Sequence, residues 1–310
     1  MDCYIKAVHR LINDESLDVE TLAFLSNYSV TRCWVDKVAA KTFTVPVIYP
    51  SRYPNVDDIA QFYPGLQIER YEDFDSYYSS LQVRLHHGPA VTAVDRYHMD
   101  YIAPPRHMGA HYIFIEQING DNITYLDFFD DNKHVMTVDT LRICTSEDNR
   151  VQNEGRILLT YDKRLSACRS LNDSDVQTVL MRRICYLDEA LGYLTSFSKE
   201  NVGERLVYRF FLKIALGGML ISDFYGKNGR WENYLFAKRI NMRGNVLRFW
   251  CIAKSYAILG KVFFVLYRIG GLYRSFWRAY LALYRMIMRA EIKTFRQLAK
   301  RGFAITEHWK

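Results

Sequence analysis

Three residues of this chain could together run thiol chemistry: Cys3, His111 and Asp127. A cysteine is nucleophilic as its thiolate, and the backbone N–H groups and dipole at a helix N-terminus favour that anion. From Cys3 to Ile12 the apolar residues Tyr4, Ala7, Val8, Leu11 and Ile12 follow the spacing of an amphipathic helix, which puts Cys3 in its first turn. The same N–H groups could receive the oxyanion of a tetrahedral intermediate. An imidazole beside the thiol would take its proton and deliver it elsewhere. A carboxylate would fix the tautomer and orientation of that imidazole. His111 starts a β-rich run directly after Gly109-Ala110, and Asp127 follows sixteen residues on, across a hairpin. A strongly curled sheet would bring the two side chains together; a flat hairpin would keep them apart.

Spacing alone carries little, because six cysteines and eight histidines offer many such triples. Each residue also has a plain reading: Cys3 as a terminal residue, His111 as a hydrogen-bonded strand histidine, Asp127 as a sheet-edge carboxylate. Cys33, after the loop-like stretch Asn27 to Arg32, is the alternative nucleophile, or else a small core residue. Cys144, Cys168, Cys185 and Cys251 fall in or near helical patterns and are expected in the core. Asp95, Tyr97 and His98 follow a short apolar run and are candidates to line the site and touch substrate. His86-His87 suit a helix C-terminus. His107 reads as a loop residue and Asp130-Asp131 as a turn. No cysteine pair has CxxC spacing and no His/Cys cluster has zinc spacing, so neither a metal nor a disulfide is expected. Phosphate-loop and dinucleotide fingerprints are absent, which argues against an ATP-dependent ligase of the P-loop type.

The elements around these residues change character along the chain. Asn13-Asp14-Glu15 ends the first helix and Ser16 can cap a second through Phe24. Val45–Tyr49 and Leu66–Tyr71 read as strands, Asn55 to Tyr63 and Phe74–His86 as helices, and Pro89–Asp95 as a buried strand. His111–Ile118 and Ile123–Phe129 flank Asn119-Gly120-Asp121-Asn122, and Asn-Gly between β-rich runs is a strong hairpin signal. His134–Val138 is another strand, and Asp139-Thr140 can cap a short helix. After about residue 150 alternation disappears. Helical patterns cover 173–197, 203–221, 231–240, 246–267 and 273–299. The expectation is an α+β fold: a domain at 1–150 whose N-terminal cysteine helix packs on an antiparallel sheet, then an all-helical domain at 151–310.

Composition bounds the rest. The 310 residues are 49% hydrophobic and 24% charged, which excludes a disordered chain, a collagen or a disulfide mini-protein. Aromatics at 15% argue for large cores and an aromatic-lined groove. The net charge of +7 divides into −9 over residues 1–150 (13 Lys and Arg, 22 Asp and Glu) and +16 over 151–310 (28 and 12). A basic half suits nucleic acid, a membrane surface or an acidic protein; its plain reading is solvated helix faces. Lys and Arg form no concentrated stripe or reader motif, so no nucleic acid is expected. The most apolar stretch, Tyr256 to Tyr273, is interrupted by Lys261, Arg268 and three glycines, and a spanning helix needs about 20 nearly uncharged residues. No membrane partner and no secretory signal are expected, and the scattered cysteines suit a reducing cytoplasm.

The order of these motifs resembles the papain-like superfamily. A Cys at a helix start, a His starting a strand and an Asp sixteen residues later look similar to C39-type peptidases. The wider context resembles the N-terminal family of butirosin biosynthesis protein H. The matching segments are Val94-Asp95-Arg96-Tyr97-His98-Met99-Asp100-Tyr101, then Gly109-Ala110-His111-Tyr112-Ile113, Tyr125-Leu126-Asp127, and Gly270-Gly271-Leu272-Tyr273-Arg274 in the helical part. The resemblance implies a papain-like cysteine protease fold and a Cys3-His111-Asp127 triad. It implies an acyltransferase that moves an acyl group from a carrier-protein thioester, through an acyl-enzyme, to a small-molecule amine in antibiotic biosynthesis. A closthioamide-type amide synthase is the nearest functional analogue. Neither ATP nor another cofactor is implied, because the acyl group arrives activated on the phosphopantetheine arm of an acyl or peptidyl carrier protein. C39 peptidases place a glutamine shortly before the cysteine as an oxyanion donor; here only Met1 and Asp2 precede Cys3. The alternatives are a peptidase or thioesterase using the same triad, or a non-enzymatic binding module. Arg274, Arg278, Arg285, Arg289, Lys293 and Arg296 are candidates to dock an acidic carrier, and Arg278, Arg285, Arg289 and Arg296 recur near one helical face, whose plain reading is a solvated surface.

Overall fold

A computed structural model describes residues 3–14, 17–25, 34–36, 45–47, 59–99, 101, 110–146, 156–165, 173–197, 230–239, 245–268 and 273–301. In chain order the elements are α1 (Cys3–Ile12), α2 (Val19–Leu25), β1 (Trp34–Asp36), β2 (Val45–Val47), β3 (Leu66–Tyr71), α3 (Phe74–Leu85) and β4 (Ala90–Asp95). A 3-10 turn (Arg96–His98) follows, then β5 (Ala110–Asn119), β6 (Asn122–Asp127), β7 (Asn132–Thr137), α4 (Val138–Cys144) and β8 (Arg156–Tyr161). The remaining helices are α5 (Asp173–Phe197), α6 (Arg230–Arg239), α7 (Val246–Arg268) and α8 (Tyr273–Arg301). Chain contacts divide these into two units, Met1–Leu22 with Val56–Ser170, and Ala23–Asn55 with Leu171–Lys310.

The first unit is α+β. Its sheet has six antiparallel strands in the order β3-β8-β4-β5-β6-β7. Helix α1 covers one face. Its apolar side, Tyr4, Ile5, Ala7, Val8, Leu11 and Ile12, is buried, and Tyr4 meets Tyr112 of β5 edge-on at 4.6 Å. The helix stops at Asn13, which adopts a left-handed φ of 48° and returns its N–H to the His9 carbonyl at 2.9 Å. Helices α3 and α4 cover the other face, where Phe74, Tyr77, Leu81, Leu141 and Cys144 pack on Val94, Ile113, Ile115, Ile123 and Tyr125. Asp73 caps α3 by accepting the Ser76 N–H at 2.8 Å. Thr137, rather than the expected Asp139-Thr140 pair, caps α4 by accepting the Thr140 N–H.

The second unit is built from α5 to α8 with the β1–β2 ladder. Arg183 of α5 is fully buried there, donating to Asn233 Oδ1 and the Phe24 carbonyl, with the Phe24 and Phe295 rings within 4.8 and 5.2 Å of its guanidinium carbon. Tyr256 of α7 donates to the buried Glu291 of α8 at 2.8 Å.

Several expectations need correcting. The stretch 151–310 is not all helical, because β8 lies within it and completes the sheet between β3 and β4. The segment Arg156-Ile-Leu-Leu-Thr-Tyr161 is a central strand buried on both faces, so it shows no alternation, and a short continuous apolar run does not reveal itself as strand. Conversely, Ala23–Asn55 groups with the helices rather than with the residues before and after it. Cys144 is buried as expected, but Cys185 and Cys251 are exposed. Cys33, Cys168, His107, Gly109, Gly270-Gly271, residues 48–58 and the helical pattern at 203–221 lie outside the described residues. Among the described residues no helix is long and apolar enough to cross a membrane.

Candidate functional site

Register decides which side chains meet. Strands β5 and β6 are joined by the two-residue turn Gly120-Asp121, with Asn119 opposite Asn122 and Ile118 opposite Ile123. Only Gly120 has positive φ, at 60°, so the turn uses Gly at its first position rather than the expected Asn-Gly pair. Continued unbroken, that register would set Phe114 opposite Asp127 and leave His111 on the other face, since side chains alternate with period two. A bulge between Ile115 and Gln117 prevents this. It sets Ile113 opposite Asp127, so His111, two residues before Ile113, shares the face of Asp127.

On that face His111 Nε2 lies 2.8 Å from both carboxylate oxygens of Asp127, with the imidazole 5% exposed and the carboxylate fully buried. An ionised carboxylate only accepts, so Nε2 carries the proton and Nδ1 is the ring nitrogen left for other chemistry. Asp127 also accepts from the Phe129 N–H at 2.7 Å and from the Tyr101 hydroxyl. Burial pushes its carboxyl up. The hydrogen bond and charge of His111, with Tyr101 and Phe129, more than offset that and hold it below the ordinary carboxylate range. Tyr101 in turn is pushed far up by burial and by its bonds to Asp127 and Tyr125, so it stays a donor. Its ring stacks on His134 at 3.8 Å, and His134 Nε2 is held by Asp130 at 2.9 Å.

Cys3 reaches this region from α1. The β5–β6 ladder ends at the Ile113–Asp127 pair, and Tyr112, one residue beyond, donates its backbone N–H to Cys3 Sγ at 3.5 Å. The thiol is thus adjacent to the backbone of the residue that follows His111, half-buried, with a donor that favours its anion. One turn along α1, Lys6 donates to the Phe128 carbonyl and pairs with Asp131 at 3.0 Å, tying the start of the helix to the turn that follows Asp127. That pair is largely exposed, so it positions more than it stabilises. The first-turn N–H groups of α1 have no helical acceptor and can face a developing oxyanion.

The other candidates are placed differently. Asp95 is buried opposite Ala110, next to the Val94–His111 pair, but its carboxylate accepts the Tyr97 N–H at 3.0 Å and caps the 3-10 turn. Tyr97 is exposed, and His98 is half-buried with its ring edge-on to Tyr97 at 5.1 Å. Sequence reasoning passed over Tyr101, Tyr125, His134 and the Tyr112 and Phe129 amides. Tyr101 lay inside a segment already singled out, as the aromatic at its end, but nothing in its spacing marks a bond to Asp127 across 26 residues. No protein-family model matches the chain, and no curated protein matches its sequence.

Proposed function

We propose that Cys3, His111 and Asp127 form a cysteine acyl-transfer centre. The observation that carries this reading is the buried His111–Asp127 pair, bonded through Nε2 at 2.8 Å, with the Cys3 thiol on the amide of the next residue. His111 Nδ1 takes the thiol proton. The Cys3 thiolate attacks a thioester carbonyl, the tetrahedral oxyanion collapses, the bond to the donor sulfur breaks, and the donor thiol leaves with the proton from the imidazolium. A primary amine then attacks the acyl-enzyme. The new C–N bond forms, the bond between the acyl carbon and Cys3 Sγ breaks, and His111 accepts the amine proton and returns it to the released thiolate. Aminolysis of a thioester is downhill, so ATP is not required. The resemblance to the butirosin-type family supports a carrier-protein thioester as donor and a small amine as acceptor. Water in place of the amine makes the same centre a thioesterase or peptidase. Offering an acyl-pantetheine thioester with and without a primary amine tests the choice. Amide product that rises with amine concentration supports transfer, while free acid at an unchanged rate under both conditions overturns it in favour of hydrolysis.

A further inference from the structure

The first unit holds a second site-like feature at the opposite end of its sheet. Val94 near the end of β4 pairs with His111, whereas the start of β4 pairs with Ile115, and β8 ends beside the start of β3. There, where α1 ends, a cavity of about 900 Å³ opens. Basic side chains dominate its lining: Arg10, Arg84, Lys163 and Arg164, with His87 beside them and Asp162 the lone carboxylate among the lining residues. Asp162 is already gripped by Arg164 through two hydrogen bonds at 3.0 and 2.9 Å, and Arg84 is paired with Glu69. Arg10 and Lys163 hold no ion pair among the described residues. Its apolar lining is the buried Leu11 and Phe114, with the exposed Pro89.

Basic residues at helix ends often only offset the helix dipole, and Arg10 and Arg84 stand in the last turns of α1 and α3. Lys163 belongs to no helix, so that account does not cover it. Two cations without an ion pair, lining one cavity, raise the local potential for an anion. A guanidinium offers phosphate a two-pronged contact and an ammonium a point charge. The volume is that of a small-molecule site, and apolar side chains beside cations in one lining suit a ligand with a phosphate end and an apolar body.

We propose that this groove binds a small organic phosphate, with Arg10 and Lys163 on the phosphate and Leu11, Pro89 and Phe114 against the organic part. The assignment stands apart from the thiol centre and does not depend on acyl transfer. Calorimetric titration of the full chain with pyrophosphate, ADP and adenosine tests it. ADP is expected to bind saturably and more tightly than pyrophosphate, and adenosine not at all. The double variant Arg10→Gln/Lys163→Gln, both exposed and so compatible with the fold, is expected to weaken ADP by about tenfold or more. Arg142→Gln on α4, outside the groove, is expected to leave ADP affinity unchanged. Absence of saturable ADP binding, equal affinity for ADP and pyrophosphate, or ADP affinity that the groove variant leaves within about twofold overturns the proposal.

Discussion

Three donors converge on the buried carboxylate of Asp127, from His111, Tyr101 and the Phe129 amide. Together they keep it ionised despite burial, and the consequence is a pH dependence with a definite sign. The folded carboxyl titrates below its unfolded counterpart, so the unfolded chain binds more protons in acid. The stability it contributes is therefore complete above the unfolded value and lost as pH falls through the folded one. Thermal melts of wild type should fall over that acid range, and Asp127→Asn should lack this component. Tyr101→Phe removes one donor from a buried charge at a cost of about 1–3 kcal/mol. It should lower the melting temperature and move the acid decline to higher pH, because the Asp127 carboxyl is then held down less. An unchanged acid decline in Tyr101→Phe would mean the phenol does not support Asp127.

At the scale of elements, the path from sequence to site runs through one bulge and one turn. Helix α1 was legible, with the same ends, from apolar spacing alone, because its buried face follows a single period. Strand β3 and helix α3 were legible too, and β4, though buried throughout, was legible as a short apolar run opened by Gly88-Pro89. The relation of His111 to Asp127 was not, since an unbroken hairpin would separate them and nothing in Ile115-Glu116-Gln117 announces an extra residue. Strand β8 escaped because its partners lie about 65 to 95 residues earlier in the chain and its burial on both faces erases alternation. Gly120 sits at φ 60°, so Gly120→Val should cost on the order of 1–3 kcal/mol in chemical denaturation. The same strain loosens the hairpin that carries His111 and Asp127, so turnover should fall along with stability. Ile5 is fully buried on the sheet side of α1, and Ile5→Ala should cost about 2–5 kcal/mol. A much smaller loss would show that α1 is not docked on the sheet as described.

For the whole molecule, the division of charge, −9 before residue 150 and +16 after it, was plain in the sequence. The division of the chain was less so, because its boundary is interrupted: residues from both sides of 150 enter each unit. On α8, Arg278, Arg289, Lys293 and Arg296 are exposed, and the helix's single carboxylate, Glu291, is buried. Should an acidic carrier deliver the acyl group, this face is suited to its encounter, and encounter charges act mainly on association. Arg289→Glu/Lys293→Glu should then raise the apparent KM for a carrier-borne thioester and leave a pantetheine-sized thioester nearly unchanged. Salt should likewise weaken the carrier reaction more than the mimic reaction. Equal effects on carrier and mimic would exclude this face as the dock.

Acylation of Cys3 is read directly by intact-mass spectrometry. Wild type incubated with an acyl-pantetheine thioester, without amine, should gain the mass of one acyl group, mapped by peptide analysis to Cys3. A primary amine should discharge it, and Cys3→Ala should gain nothing while melting as wild type does. An adduct mapping to Cys33, or persisting in Cys3→Ala, would show that Cys3 is not the nucleophile.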